Sequence, residues 1–274
     1  MSNEKIGQRA ADDFRQEFNL GVGPIANIAR LIEQTVGIGV AYVEAPAPGH
    51  GMTMRLGDRY MMAVACTPYP MRLRSTLAHE LGHVRLDSVD RYLEHGEWDK
   101  RTPEEKQADT FARHLLVPLA AVREATRGTD PTLATLSDLV QRYQASPNIV
   151  AIQLREAGAI DSQTCKEWAS LTSPPLASRF GWHAEYQALV AQSSTPRAPQ
   201  ALLARAVEGY RWNLVAPAVV ARLEGKRHPD EVVRELAEDG ITPLSSVDTT
   251  ASRPPESGDA LTPDEIARLM GETD

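Results

Sequence analysis

The clearest chemical signal in the sequence is a pair of histidines four positions apart, with a glutamate directly after the first. The stretch His79-Glu80-Leu81-Gly82-His83 has the form H-E-x-x-H. In a helix, residues i and i+4 lie on one face, so both imidazoles could bind a single Zn²⁺. A water at the open position of the zinc would lie beside Glu80, which predicts that Glu80 is the catalytic general base. Such a site requires a third protein ligand.

That third ligand must come from outside the motif. Metzincins have a glycine three residues and a histidine six residues after the second histidine, but here those positions hold Leu86 and Val89. A polar stretch further along contains groups that could reach a metal, although so polar a run is usually solvated. Its candidates are Glu94, His95, Glu97 and Asp99.

Glu105 is the stronger candidate because it lies in a predicted helix over 104–116, with Asp109 four residues later on the same face. The small residues Ala108 and Ala112 would let this helix approach the H-E-x-x-H helix closely. Asp109 could then accept a ring N–H from one of the histidines and fix its tautomer. The alternative is that Glu105 and Asp109 form an acidic pair that faces water. We predict Glu105 as the third metal ligand.

Apolar periodicity predicts the elements around these motifs. Helices are expected over 8–20 and from Pro24 to Val36, and strands over 38–43, 52–56 and 59–66. In a peptidase, an exposed edge strand beside the metal would hold an extended substrate by strand addition. Either 60–65 or 52–56 could be that strand. The alternative is that the strand only closes a small sheet.

The second half of the chain is also predicted to be helical. Helices over 133–143 and 147–157 flank a tight turn, which is the spacing of a helix–turn–helix unit. From Leu133 to Trp168, three basic and four acidic residues give a net charge of 3 − 4 = −1, which is unsuited to DNA. A scaffold or protein-docking surface is therefore the preferred interpretation. Further helices are expected over 182–191, 201–210, 217–223 and 229–237, with connections at 172–175 and 193–196, a disordered stretch at 242–260 and a short helix at 262–270.

The two motifs together resemble the ImmA/IrrE-type metalloendopeptidases. In that family the H-E-x-x-H helix is followed by a segment of the form E-x-x-A-N-x-F-A-x-x-L-L-x-P. Here the segment runs from Glu105 to Pro118, and it begins 105 − 83 = 22 residues after His83. Asp109 stands where the family usually has asparagine, which keeps a hydrogen-bond acceptor and adds a charge. The resemblance also covers residues 11–90 and continues to about Asp161.

The resemblance implies an α+β, mostly helical zincin-like fold with a small antiparallel or mixed sheet. It implies a zinc-dependent endopeptidase that makes limited cleavages in a helix–turn–helix (XRE-type) repressor, in transcription regulation or a stress response. The alternative function is a non-catalytic regulator in which zinc is structural and the helical half binds a repressor or DNA. Catalysis would also need a donor to the oxyanion. Tyr92, His95 and His114 are suitable residue types, and their spacing does not select among them.

Composition narrows the remaining possibilities. The 274 residues are 42% hydrophobic and 24% charged, which is typical of a globular protein, and their net charge of −8 argues against binding to nucleic acid or anionic membrane. Cys66 and Cys165 are expected to be reduced thiols. No signal-peptide core or membrane-spanning run is found, so a cytoplasmic protein is expected. The predicted domains are a zincin-like domain (1–120), a helix–turn–helix-like segment (121–170), a helical bundle (171–241) and a mostly disordered tail (242–274).

Overall fold

The computed structural model describes residues 2–46, 49–57, 59–89, 102–226 and 228–244. Across these residues the chain forms thirteen helices and one three-stranded sheet. The strands are β1 (Gly39–Val43), β2 (Gly51–Leu56) and β3 (Arg59–Ala65). The helices are α1 (Asn3–Glu17), α2 (Ile28–Thr35), α3 (Pro70–Arg85), α4 (Pro103–Leu116), α5 (Leu119–Ala125), α6 (Leu133–Tyr143), α7 (Pro147–Glu156), α8 (Ser162–Ala169), α9 (Ser173–Arg179), α10 (His183–Ser193), α11 (Gln200–Arg211), α12 (Pro217–Leu223) and α13 (Pro229–Glu238). The predicted α+β, mostly helical fold is confirmed.

The sheet has the strand order β1-β3-β2, so β3 lies in the centre. β1 runs parallel to β3, with Val40 opposite Met62, while β2 runs antiparallel to it, with Thr53 opposite the same methionine. On the outer side of β1, Tyr42 forms an isolated bridge with Arg197, in which the backbone N–H of Tyr42 donates to the carbonyl of Arg197 (2.8 Å). Because β3 is paired on both sides, residues 60–65 cannot be the predicted edge strand. β2 is at the edge of the sheet.

Helix α4 lies between α1 and α3 and approaches both closely. A Cβ added at Gly7 of α1 would lie 2.4 Å from the carbonyl oxygen of Gln107, and one added at Gly82 of α3 would lie 3.1 Å from Cα of Ala108. These glycines therefore set two helix crossings at which a larger side chain would force the backbones apart. The predicted close approach at Ala108 is present, and it depends on Gly82 from the other side.

The buried side chains form two hydrophobic clusters. The first extends from Phe14 in α1 through the sheet, α3 and α4 to Tyr186 in α10, and it includes the fully buried Leu81 and Phe111. The second is small and lies in α11–α13, around Tyr210. The predicted boundaries at residues 120 and 170 fall within the span of the first cluster, and the domain limits stay predictions.

Several predicted element boundaries are wrong, and local capping explains most of them. The first helix begins at Asn3, because the side chain of Ser2 accepts a hydrogen bond from the helix backbone. The second begins at Ile28 rather than Pro24, because Asn27 provides its N-cap. Residues 172–175 are not a connection: α9 starts at Ser173, with proline in its first turn. α5 and α8 were not predicted, and the expected helix at 262–270 lies outside the described residues, as does most of the 242–260 stretch.

Both cysteines are free thiols, with Cys165 buried, as predicted. None of the described helices combines the length and apolar character needed to cross a membrane.

Candidate metal centre

Helices α3 and α4 bring together the residues that the sequence predicted as metal ligands. Helix α3 starts with Pro70 in its first turn and continues past both histidines of the motif. Helix α4 is capped by Thr102, whose hydroxyl accepts a hydrogen bond from the backbone N–H of Glu105 (3.3 Å). The cap fixes Glu105 in the first turn of α4. Across the Gly82–Ala108 crossing, its carboxylate therefore faces His79 and His83.

The ligand atoms of these three side chains converge within a few ångströms. Nε2 of His79 lies 3.2 Å from Oε2 of Glu105, and Nε2 of His83 lies 3.1 Å from Oε1. The two Nε2 atoms are 3.0 Å apart, with the imidazole rings inclined at 73°. Among the described residues, His79, His83 and Glu105 form the group that could hold a metal ion.

These distances fit a bound divalent metal better than a network of hydrogen bonds alone. Atoms about 2.0–2.1 Å from a tetrahedral ion lie roughly 3.3 Å from each other, close to the observed separations. Oε1 of Glu105 is buried and accepts no hydrogen bond of normal geometry in the described part of the chain, although Nε2 of His83 is near it. A metal ion would satisfy this oxygen and both nitrogens, and a set of two imidazoles and a carboxylate suits zinc.

Hydrogen bonds at Nδ1, the ring nitrogen that does not face Glu105, orient both imidazoles. Nδ1 of His79 lies 3.0 Å from Oδ1 of Asp109, the arrangement expected if Asp109 accepts the ring N–H. Nδ1 of His83 lies 2.9 Å from Oγ of Ser88, and the Ser88 hydroxyl donates to the carbonyl oxygen of His83 (3.3 Å). Ser88 can therefore only accept from Nδ1–H, which directs the Nε2 lone pair of His83 toward Glu105.

Ser88 is a residue that the sequence reasoning missed. Ser88 is buried and lies back against α3, because Asp87 adopts a left-handed backbone conformation (φ 50°) directly after that helix. The backbone N–H of Ser88 also donates to the carbonyl of His83 (2.9 Å). Nothing in the local sequence distinguishes this serine from an ordinary helix-terminating residue.

The charges within the cluster shift two pKa values in opposite directions. Burial alone would lower the pKa of His79, but hydrogen bonds and charges from Asp109 and Glu105 outweigh it and raise the pKa to about 10. Burial alone would raise the pKa of Glu105, but the two imidazoles that lie close to its carboxylate lower it to about 2. The acidic groups thus stabilise positive charge at the imidazoles, and their negative charge would stabilise a bound metal cation in the same way.

Glu80 lies on the side of α3 that faces the sheet. Its side chain is buried, and Oε2 accepts a hydrogen bond from the hydroxyl of Thr53 in β2 (2.7 Å). A Cβ at Gly51 would lie 3.0 Å from Oε1 of Glu80 and 2.5 Å from Cγ2 of Thr76. Gly51 and Thr53 therefore allow β2 to approach α3 and hold the Glu80 carboxylate. Neither contact can be predicted from the sequence, because both depend on the packing of strand against helix.

Of the candidates for an oxyanion donor, only His114 lies within the described residues. Its ring is buried away from the metal cluster, with Nε2 3.1 Å from Oε1 of Glu4 and Nδ1 3.4 Å from the amide of Gln153. This environment joins α4 to α1 and α7, so His114 is a packing residue. Tyr92 and His95 lie outside the described residues, as do the alternative ligands Glu94, Glu97 and Asp99.

Comparison with known families places this geometry in context. Residues 42–155 match the family model of the IrrE N-terminal-like domain, of the peptidase M78 family. This part of the chain is an IrrE N-terminal-like domain. The domain runs from β1 to α7 and contains His79, His83 and Glu105, and the predicted ImmA/IrrE-type family is thereby confirmed. Membership supports a metallopeptidase-type function and a bound metal. No curated protein matches the chain.

The IrrE N-terminal-like domain does not include α1, which nevertheless supports it. Glu4 of α1 accepts hydrogen bonds from Thr110 (3.1 Å), His114 and Arg113 of α4. Arg15 of α1 donates to the carbonyl of Leu115 at the end of the same helix (2.9 Å). The helix that carries Glu105 is thus anchored from outside the matched range.

Proposed function

We propose that this chain is a zinc-dependent endopeptidase that makes limited cleavages in a protein substrate. The observation that supports it most strongly is the convergence of His79, His83 and the Glu105 carboxylate, with ligand atoms 3.0–3.2 Å apart and Glu80 adjacent on the same helix. Zinc held by these groups would supply a Lewis acid that polarises a water and the scissile carbonyl.

Glu80 is the general base in this proposal. Its Oε2 is held by the Thr53 hydroxyl (2.7 Å), so the carboxylate has a fixed orientation before substrate arrives. The other oxygen takes a proton from the attacking water and passes it to the leaving amine. Because Glu80 is buried, its transfer of the proton takes place away from bulk solvent.

The edge strand β2 is the proposed binding site for the substrate backbone, which would add to the sheet as a further strand. The backbone N–H of Ala65 donates to the carbonyl of His50 (2.8 Å). Because the hydrogen-bonding groups of an antiparallel strand alternate in direction, the backbone groups of every second residue from His50 onward point toward β3. The backbone groups of Gly51 and Thr53 then point outward. An extended peptide paired with them would pass the Glu80 carboxylate, which Thr53 contacts.

A strand-addition mode restricts the substrate to extended segments. A helix–turn–helix repressor, which the family resemblance implies as the substrate, would have to present a linker or a locally unfolded segment. This requirement accounts for limited rather than complete digestion. A DNA target has less support, since Arg155 of α7 pairs with Glu156 (2.6 Å) and Gln153 donates inward to the Val117 carbonyl.

The alternative, a non-catalytic regulator with a structural metal, needs no proton acceptor beside the metal. A structural zinc site is usually closed by four protein ligands, whereas the described cluster has three. The buried Glu80 carboxylate, held by Thr53, has no role in that alternative.

The test is cleavage of a purified helix–turn–helix repressor, taken from a gene adjacent to the one for this chain. We expect the Glu80→Gln variant to retain its metal and lose cleavage, while Glu124→Gln, a change of an exposed glutamate in α5, leaves both intact. Cleavage at the wild-type rate by the Glu80→Gln variant would refute the assigned base. Stable binding of the repressor without cleavage by metal-loaded wild-type protein would favour the regulator.

A further inference from the structure

A cavity of about 820 Å³ lies where the first hydrophobic cluster meets the C-terminal helices. Its wall includes Tyr42 of β1, the first turns of α3 and residues of α10, α11 and α12. None of His79, Glu80, His83 and Glu105 lines it. A volume of this size is in the range that holds a small organic molecule, roughly 300–1,000 Å³.

The cavity wall contains a buried cation that pairs with no carboxylate in the part of the chain that the structure describes. Arg74 of α3 is 6% exposed. Its guanidinium donates to three neutral acceptors, the backbone carbonyls of Gln144 (3.1 Å), Ala26 (3.1 Å) and Ile25. A guanidinium has five N–H groups, so 5 − 3 = 2 have no partner in the part of the chain that the structure describes. Burial lowers the pKa of Arg74 to about 10, as expected for a desolvated charge.

Other side chains make the cavity wall positive. Arg30 donates to the neutral side-chain oxygen of Gln200, whereas Arg197 pairs with Glu33 (2.5 Å). Lys226 pairs with two carboxylates, Glu224 (2.8 Å) and Glu235. The wall therefore carries four cationic side chains (Arg30, Arg74, Arg197 and Lys226), and three carboxylates (Glu33, Glu224 and Glu235) pair with the last two of them. In a chain with a net charge of −8, the remaining excess of 4 − 3 = +1 favours anions, and it lies at Arg30 and Arg74, whose acceptors among the described residues are neutral.

One residue of the cavity wall also carries a buried acceptor. The side-chain oxygen of Gln144 is buried and accepts no hydrogen bond from any described residue, although the residue lines the cavity. Gln144 ends α6 in a left-handed conformation, and its own carbonyl receives the Arg74 Nε–H. Leucines at 73 and 203 contribute apolar wall. A buried oxygen without a donor is unfavourable unless a ligand supplies one.

We infer that this cavity binds a small organic anion. A carboxylate or phosphate group contacts Arg74, an apolar body packs against Leu73 and Leu203, and a hydroxyl or N–H group donates to Gln144. A planar carboxylate matches the fork of a guanidinium in two parallel hydrogen bonds, and a phosphate can do the same. The inference does not depend on peptidase activity, because its readout is binding.

The test is calorimetric titration of the full chain with three probes: 4-hydroxybenzoate, phenyl phosphate and the neutral 4-hydroxybenzamide. We expect saturable binding of at least one anion and none of the amide. The stronger of the two anions distinguishes a carboxylate ligand from a phosphate ligand. Arg74→Gln should weaken binding at least tenfold, about 1.4 kcal/mol, while Arg72→Gln, an exposed arginine of the same helix, should not change it.

Arg74 also anchors two loops, so its variant could lose stability for a structural reason. Leu203→Trp provides a second probe, since the larger ring would occupy the cavity and abolish binding without removing the charge. Failure of both anions to bind would overturn the inference. So would equal binding of the amide, or binding that neither Leu203→Trp nor a folded Arg74→Gln variant weakens.

Discussion

Replacing Gly82 with alanine tests whether the helix crossing sets the geometry of the metal centre. The new Cβ would lie 3.1 Å from Cα of Ala108, 3.1 Å from Cδ1 of Phe111 and 3.3 Å from Cβ of Ala108. Carbon atoms in contact prefer about 3.5–4.0 Å, so α4 would have to move away from α3 by roughly 0.4–0.9 Å. The backbone of Ala108 cannot rotate out of the way, unlike a flexible side chain.

The expected effect on stability is modest. Overpacking of this kind costs about 1–3 kcal/mol, and the better helix propensity of alanine offsets about 1 kcal/mol of it. The net loss in the free energy of unfolding is then about 0–2 kcal/mol. Metal coordination is less tolerant, since ligand distances vary by only about 0.2 Å around their preferred values. We therefore expect metal affinity to fall about 10- to 100-fold, as for other disturbances of ligand orientation.

Zinc affinity measured by competition with a chromophoric chelator, together with urea unfolding, separates the two effects. Gly209→Ala is the matched control: its Cβ would lie 2.6 Å from Cγ2 of Val215 in the C-terminal cluster. It should reduce stability and leave metal affinity unchanged. A folded Gly82→Ala variant that binds zinc as tightly as the wild type would refute the claim that this crossing fixes Glu105 against the histidines.

Two further predictions concern groups around the centre. Ser88→Ala removes the acceptor for the ring N–H of His83, so zinc affinity should fall about tenfold or more in the same competition assay. The control Ser75→Ala loses only an exposed hydrogen bond on α3 and should have no effect. Equal zinc affinities of the Ser88→Ala variant and the wild type would show that Ser88 does not orient the ring. Burial lowers the pKa of His114 below 6.5, despite the opposing hydrogen bond to Glu4. As the pH falls below about 6.5, the unfolded chain therefore takes up a proton at His114 before the folded chain does, and the free energy of unfolding decreases. Urea unfolding between about pH 7 and pH 5 should show a smaller decrease in this free energy for His114→Gln than for the wild type.

The sequence predicts that His79, His83 and Glu105 lie together because helical spacing and a second motif both specify their positions. His79 and His83 can share an ion only if they lie on one helix face, and Glu105 follows from its place in a helix with small residues. The orienting contacts could not be predicted in the same way. Ser88 depends on a left-handed turn after α3, and Thr53 depends on the packing of β2 against that helix.

The role of the first helix shows the same limit. Its apolar pattern predicts a helix, but not that Gly7 allows it to pack against the backbone of α4. The missed boundaries at Asn27 and Ser173 show how a single cap or an N-terminal proline outweighs composition. Helix periodicity identifies elements, whereas close approach and capping decide where they begin and which pairs meet.

The most direct test of the account is the metal content of the purified chain and of its Glu105→Ala variant, measured by atomic absorption after dialysis against zinc. We expect about one zinc per chain for the wild type and for the Glu124→Ala control, and a loss of bound zinc for Glu105→Ala. Full zinc content and unchanged affinity in a folded Glu105→Ala protein would contradict the three-residue site. The third ligand would then have to be sought elsewhere, for example among residues 90–101.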